Sequence, residues 1–175
     1  MPTTLAYPFR QRAFVSFIAA IAVLATACSP QLQAQLRRRS AAIPATTSTE
    51  RVIIGSVNHF RVLHGLRALQ VHSNLQSKAR AWATSMAQGR CGRNAQGIAT
   101  ICHSNLSSGI TVHWSRLEEN VGYASPRTAV NAIMTGFEHS PEHAANMLDT
   151  QITYVGVGVA YSGNFVYVTE EFMAP

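Results

Sequence analysis

The 175-residue chain is 47% hydrophobic and only 13% charged, enough apolar material for one packed domain with room for extra terminal segments, which excludes a globally disordered chain. Its formal net charge of +6 would suit a nucleic-acid partner, but Arg10, Arg12, Arg37, Arg38 and Arg39 all precede residue 50, and residues 51–175 carry nine basic against seven acidic side chains. That leaves no dense basic face, and nucleic acid is not an expected partner.

Residues 1–27 read as a secretory signal peptide. Arg10 and Arg12 supply the positive start, residues 13–27 (AFVSFIAAIAVLATA) the apolar run, and Ala25-Thr26-Ala27 a small-x-small cleavage site. The run is shorter than the roughly 20 residues of a transmembrane helix. Cys28 follows directly, and LATAC resembles a lipobox in which the cysteine is lipidated. Plain cleavage with release, and a lipid anchor at Cys28, are the two alternatives; only the second would associate the protein with a membrane. Both place it outside the cytoplasm. Residues 28–50, rich in Gln, Ser, Thr and Ala around an Arg triplet, read as a flexible tether.

The domain is expected over 51–175. Ile53, Val57, Phe60 and His64 have helical spacing and predict a helix from about Thr49, ended by Gly65. After a short extended piece, LRALQVH, a second helix is predicted over Ser73–Gln88, with Leu75, Ala79, Trp82 and Met86 on one face. Residues 90–117 show no helical pattern, and Thr111–Trp114 is expected to be a short strand. Glu118, Glu119 and Asn120 then precede a Gly-marked turn. A third helix is expected to open at Ser125-Pro126 and to bury Val130, Ile133 and Phe137. Ser140-Pro141 repeats that cap signal and places His143 in the first turn of a further helix. YVGVGVAYS and FVYVTEEF alternate as strands around Gly163-Asn164, a hairpin turn. Helices first and a hairpin last imply an α+β fold with helices packed on an antiparallel sheet.

Removing Cys28 by lipidation leaves Cys91 and Cys102. In an oxidising compartment this pair is expected as a disulfide that contributes roughly 3 kcal/mol; a metal pair with His103 is the alternative, though the spacing is not CxxC.

CHSNL, EENVGYAS, FEHSPEHAANML, YVGVGVAY and FVYVTEEF, in that order, resemble the CAP superfamily of cysteine-rich secretory, antigen 5 and pathogenesis-related group one proteins. The likeness is to its bacterial secreted, SCP-like branch and spans about residues 53–173. It implies an α-β-α sandwich with a small central sheet and a cleft carrying two histidines and two acids. His103, Glu119 and His143 match three of these. Phe137 stands in the place of the Trp that usually precedes the second acid, and Ser140 in the place of that acid.

Two imidazoles and a carboxylate can hold Zn²⁺, with His103 and His143 as the candidate ligands. The carboxylate can instead orient a histidine, or the set can be a structural network. Members of the family are linked to sterol or fatty-acid binding and to metal-dependent behaviour, with no shared reaction. The expectation is an exported cell-envelope module whose cleft takes a metal, a lipid or a cell-wall ligand. The alternatives are a metal-assisted hydrolase with Glu119 as base, and a purely structural surface protein. Weaker candidates are Ser104 as a nucleophile and a His139–His143 metal pair, while Glu118 is expected to be solvated.

Overall fold

A computed structural model describes residues 46–175; the expected signal peptide, Cys28 and most of the tether lie outside the described residues. The elements are α1 (Ser48–Leu63), β1 (Gln70–Val71), α2 (Ser73–Ala87), β2 (Arg116–Ala124), α3 (Val130–His139), α4 (Pro141–Leu148), β3 (Tyr154–Ser162) and β4 (Phe165–Ala174). The sheet order is β1-β3-β4-β2. The three long strands form the expected antiparallel sheet through the β3–β4 and β4–β2 ladders. The two-residue β1 adds a parallel edge on β3, so the sheet as a whole is mixed.

Helix α1 starts inside the stretch expected to be tether. Thr47 and Glu50 form a reciprocal capping box, and the buried Glu50 carboxylate accepts from Arg80 of α2 at 2.6 and 2.7 Å. Those two contacts fix α1 relative to α2 and anchor the start of the domain.

The strand pleat sorts the sheet into two faces. Val155 and Val157 of β3 and Val166, Val168 and Phe172 of β4 pack with Ile53, Val57, Ile133, Phe137 and Met147 from α1, α3 and α4. On the opposite face, Tyr167 and Val121 pack with Met86 and Ala87 of α2. The result is a three-layer α-β-α sandwich. Gly156 and Gly158 face α2, where an added Cβ would lie 2.2 Å from Leu75 C and 2.1 Å from Ala79 O. These glycines let the helix backbone sit directly on β3.

Arg61 fastens the second helical layer from inside. It is buried, and its guanidinium donates to Arg67 O, Met147 O and Asp149 O at 3.0, 2.7 and 2.9 Å, with Ile152 O at 3.4 Å. One cation thereby closes the C-terminal end of α4, whose last carbonyls have no partner in the helix.

Three local expectations are corrected. Thr111–Trp114 is loop, because the Thr111 N–H goes to the Asn74 side chain and not to a ladder. The strand is β2, concealed in the sequence by its polar start, and Gly122 is no turn: it lies within β2 beneath Ile133 and Phe137. Helix α3 begins at Val130, not at Ser125-Pro126; that peptide is cis, and the Pro126 carbonyl accepts the Ala129 N–H within a turn. Gly163, at φ +56°, makes the expected β3–β4 hairpin turn.

Candidate functional site

The site is built across β2, the edge strand of the sheet, by two consecutive residues. Glu119 and Asn120 point to opposite faces, and each fastens one histidine-bearing segment.

On the α2 face, Glu119 Oε1 accepts from the Ser104 N–H at 2.8 Å and from His103 Nδ1 at 2.9 Å. The carboxylate is buried, whereas the His103 side chain is 64% exposed. Glu119 Oε2 has no hydrogen-bond partner among the described residues and faces Lys78 Nζ at 3.8 Å. On the other face, Asn120 Nδ2 donates to His143 O at 3.2 Å and to Glu170 Oε2 at 3.0 Å. Asn146 of α4 closes the join, donating to Asn120 Oδ1 at 2.9 Å and to Glu119 O at 3.2 Å. The Glu-Asn pair is thus the common anchor of both histidine segments.

His143 lies in the first turn of α4, as the Ser140-Pro141 signal predicts. Ser140 occupies the N-cap position without making a side-chain cap bond; its hydroxyl is 2.8 Å from His143 Nδ1. The imidazole stacks on Phe137 at 4.7 Å between centroids. Burial lowers the His143 pKa below its ordinary value and the charge of nearby His103 adds to this, while Glu142 opposes it.

Each imidazole uses Nδ1 within the protein, and neither Nε2 has a hydrogen-bond partner among the described residues. With a carboxylate as acceptor, His103 Nδ1 carries the proton and Nε2 a free lone pair. Glu119 stands as the group that orients His103. No group of three or more His, Cys, Asp or Glu side chains placed to hold a metal occurs among the described residues.

Lys78, Glu170 and Glu171 escaped sequence reasoning. Glu171 stands opposite Glu119 in the β2–β4 register, and its carboxylate pairs with the Lys78 ammonium. Lys78 Nζ also donates to Ser104 Oγ at 2.5 Å. Burial, then Glu119, pushes Glu171 up to about 8 against the pull of Lys78. Glu170, fully buried, is likewise pushed up to about 8 by burial, with Asn120 opposing. The one signal in the sequence is the Glu170-Glu171 pair inside an otherwise apolar strand, which sends one acid to each face.

Other candidates separate. Ser104 Oγ meets an ammonium, not a base. His139 ends α3 with Nδ1 on Thr135 O at 2.8 Å, in a different helix from His143. Glu118 is not solvated: its side chain is 16% exposed, and burial followed by Asp149 raises its pKa to about 7. Cys91 and Cys102 form a disulfide, so neither thiol is left to join His103 as a metal ligand.

Two layers of helix on a mixed sheet define an α-β-α sandwich. The chain belongs to the cysteine-rich secretory protein (CAP) family, whose model matches residues 54–172. No curated protein sequence matches it. Among solved structures it is similar to an outer surface protein from Borrelia burgdorferi, with 16% identity, TM-score 0.58, and 75% of this chain and 96% of that one covered. It is also similar to an extracellular SCP-domain protein from Bacillus anthracis, with 21% identity, TM-score 0.58, and 73% and 40% covered. A third is NaASP2, solved with Zn²⁺, with 12% identity, TM-score 0.53, and 74% and 83% covered.

Proposed function

We propose that this chain is an exported module of the cell envelope whose cleft binds a ligand through the His103 and His143 imidazoles, Zn²⁺ being one of the metals that imidazole donors suit. The observation that carries the reading is that both rings are held through Nδ1, by Glu119 and Ser140, leaving Nε2 of each without a protein partner among the described residues. A held ring with a free second nitrogen is the arrangement of a metal-ligating histidine. A bound ion would supply a Lewis-acidic centre for a lipid or cell-wall ligand carrying an oxygen donor. Export rests on the signal-like residues 1–27, and Cys28 is the proposed anchor in the lipidated alternative. The extracellular and outer-surface descriptions of two structural neighbours agree with export.

The hydrolase alternative asks Glu119 to accept a proton from water, yet its Oε1 already takes two hydrogen bonds and its Oε2 is buried beside Lys78. Those commitments favour orientation over general-base work.

Zn²⁺ calorimetry on the wild type, His103→Ala and Glu119→Gln tests the reading. Loss of the site in His103→Ala is expected, with affinity in Glu119→Gln lowered by about 10–100-fold. Affinity should also weaken below about pH 6 as imidazole protonates. Unchanged Zn²⁺ binding in His103→Ala would end it, and hydrolytic activity lost in a folded Glu119→Gln would favour the enzyme.

A further inference from the structure

A second cavity lies on the α2 side of the Cys102–Thr111 loop, away from the His143 side of β2, with a volume of about 550 Å³. The loop is fastened across α2 at three points. Trp82 Nε1 donates to Cys102 O at 2.9 Å, Lys78 Nζ meets Ser104 Oγ at 2.5 Å, and Asn74 bonds both Gly109 O and the Thr111 N–H at 2.8 Å. The Cys91–Cys102 disulfide holds one end of the loop. Between these ties α2 presents Ser77, Ala81 and Ser85, four residues apart and therefore on one stripe, and their small side chains leave the space open.

The chemistry of the walls selects an occupant. The lining carries two cations, Lys78 and Arg90, and no carboxylate. Lys78 is spent on Glu171 and Ser104, but the Arg90 guanidinium at the rim is exposed and has no side-chain partner among the described residues. Ser85 and Ser108 hydroxyls likewise have none, and Asn105 uses only its Oδ1, for Ser107. The indole of Trp82 is the sole large apolar surface, and its N–H tie to Cys102 fixes the ring. Beyond Trp82 the apolar part of the wall is Ala81 and the aliphatic stems of Lys78 and Arg90. A hydroxylated ring with an acidic substituent meets a stacking face, hydroxyl and amide partners, and a free cation.

We propose that this cavity binds an anionic saccharide unit, its ring face on Trp82, its hydroxyls at Ser85, Ser108 and Asn105, and its acid group at Arg90. The site does not use His103 or His143, so it stands or falls independently of the metal-binding cleft.

The test is amide and indole NMR titration of the full mature chain with methyl β-D-glucuronide, and with methyl β-D-glucoside as the neutral counterpart. Saturable shifts at Trp82 and across 104–109 are expected, stronger for the uronide. Arg90→Ala, at an exposed position, should lower uronide affinity about tenfold and abolish the preference over the glucoside. Ala81→Trp should fill the cavity and remove both responses with the fold retained by circular dichroism, while His103→Ala leaves them intact. Absence of saturable shifts with either sugar, or unchanged binding in folded Ala81→Trp, would overturn the proposal. Dodecanoate saturating the same resonances with both sugars silent would instead make the cavity an amphiphile site and refute the saccharide assignment.

Discussion

The packing of α2 on β3 sets the height of the whole site, and Gly158→Ala measures it. An alanine Cβ at this position would lie 2.1 Å from Ala79 O, 2.2 Å from Ala79 C and 2.4 Å from Arg80 N, all helix backbone. Side-chain rotation cannot relieve a clash with backbone, so α2 must retreat by about 1 Å to reach an ordinary contact. Leu75, Ala79, Ala83 and Met86 are completely buried, and a gap of that size forfeits roughly a quarter to a half of each dispersion contact on that seam. Overpacking of this kind costs about 1–3 kcal/mol, and the backbone obstacle puts it at the upper end. The unfolded-state gain from losing a glycine, about 0.4–1 kcal/mol, does not offset it. We expect a net loss of about 2–3 kcal/mol and a melting temperature lower by about 10 °C, followed by circular dichroism. Gly55→Ala is the control: Gly55 sits at an exposed position of α1 with nothing within 4 Å of an added Cβ, and should stabilise by about 0.5–1 kcal/mol. If Gly158→Ala melts with the wild type while Gly55→Ala behaves as stated, direct backbone contact does not set the α2–β3 spacing.

Arg61→Met should cost about 3 kcal/mol or more in urea unfolding, because it leaves several inward-facing carbonyls, among them Met147 O and Asp149 O, without their donor; a change under about 1 kcal/mol would show that water replaces the guanidinium. Stability should also fall as pH rises from about 5 to 8. Glu118, Glu170 and Glu171, raised to about 7, 8 and 8, keep their protons in the folded state at pH values where the unfolded chain has lost them. Their contribution is complete below the ordinary carboxylate range and lost as pH rises through about 7–8. His143, with its lowered pKa, works in the opposite sense, losing stability as pH falls below about 6.5, but it is one group against three. Glu170→Gln, with the amide standing for the protonated acid, should flatten the slope of melting temperature against pH; an unaltered slope would place the proton elsewhere.

The helices and the hairpin were legible because each carries its own periodicity: Ile53 and Val57, Leu75 and Ala79, Ile133 and Phe137 all lie buried as their spacing requires. The strand β2 was not, since Glu118, Glu119 and Asn120 interrupt the alternation that marks a strand. Those polar residues are tolerated there because partners across space satisfy them: Ser104 and His103 for Glu119, Glu170 and His143 O for Asn120. Such partners are 15 to 50 residues away, beyond any local pattern. The same holds for Lys78, which reads as a surface residue of an amphipathic helix and is buried against Glu171.

The departure at Ser140 acquires a physical meaning from this. An acid at that position would sit at the N-terminus of α4 and within reach of the His143 ring, favouring its protonated form. The serine hydroxyl holds Nδ1 without adding charge, and partial burial biases the ring towards its neutral form. The carboxylate opposite Glu119 in the sheet is Glu171 of β4, which Lys78 answers from α2. Two carboxylates and one ammonium therefore meet on the α2 side of the edge strand. Glu119 and Ser140 thus hold both rings through Nδ1, and the proposed metal binding rests on that geometry.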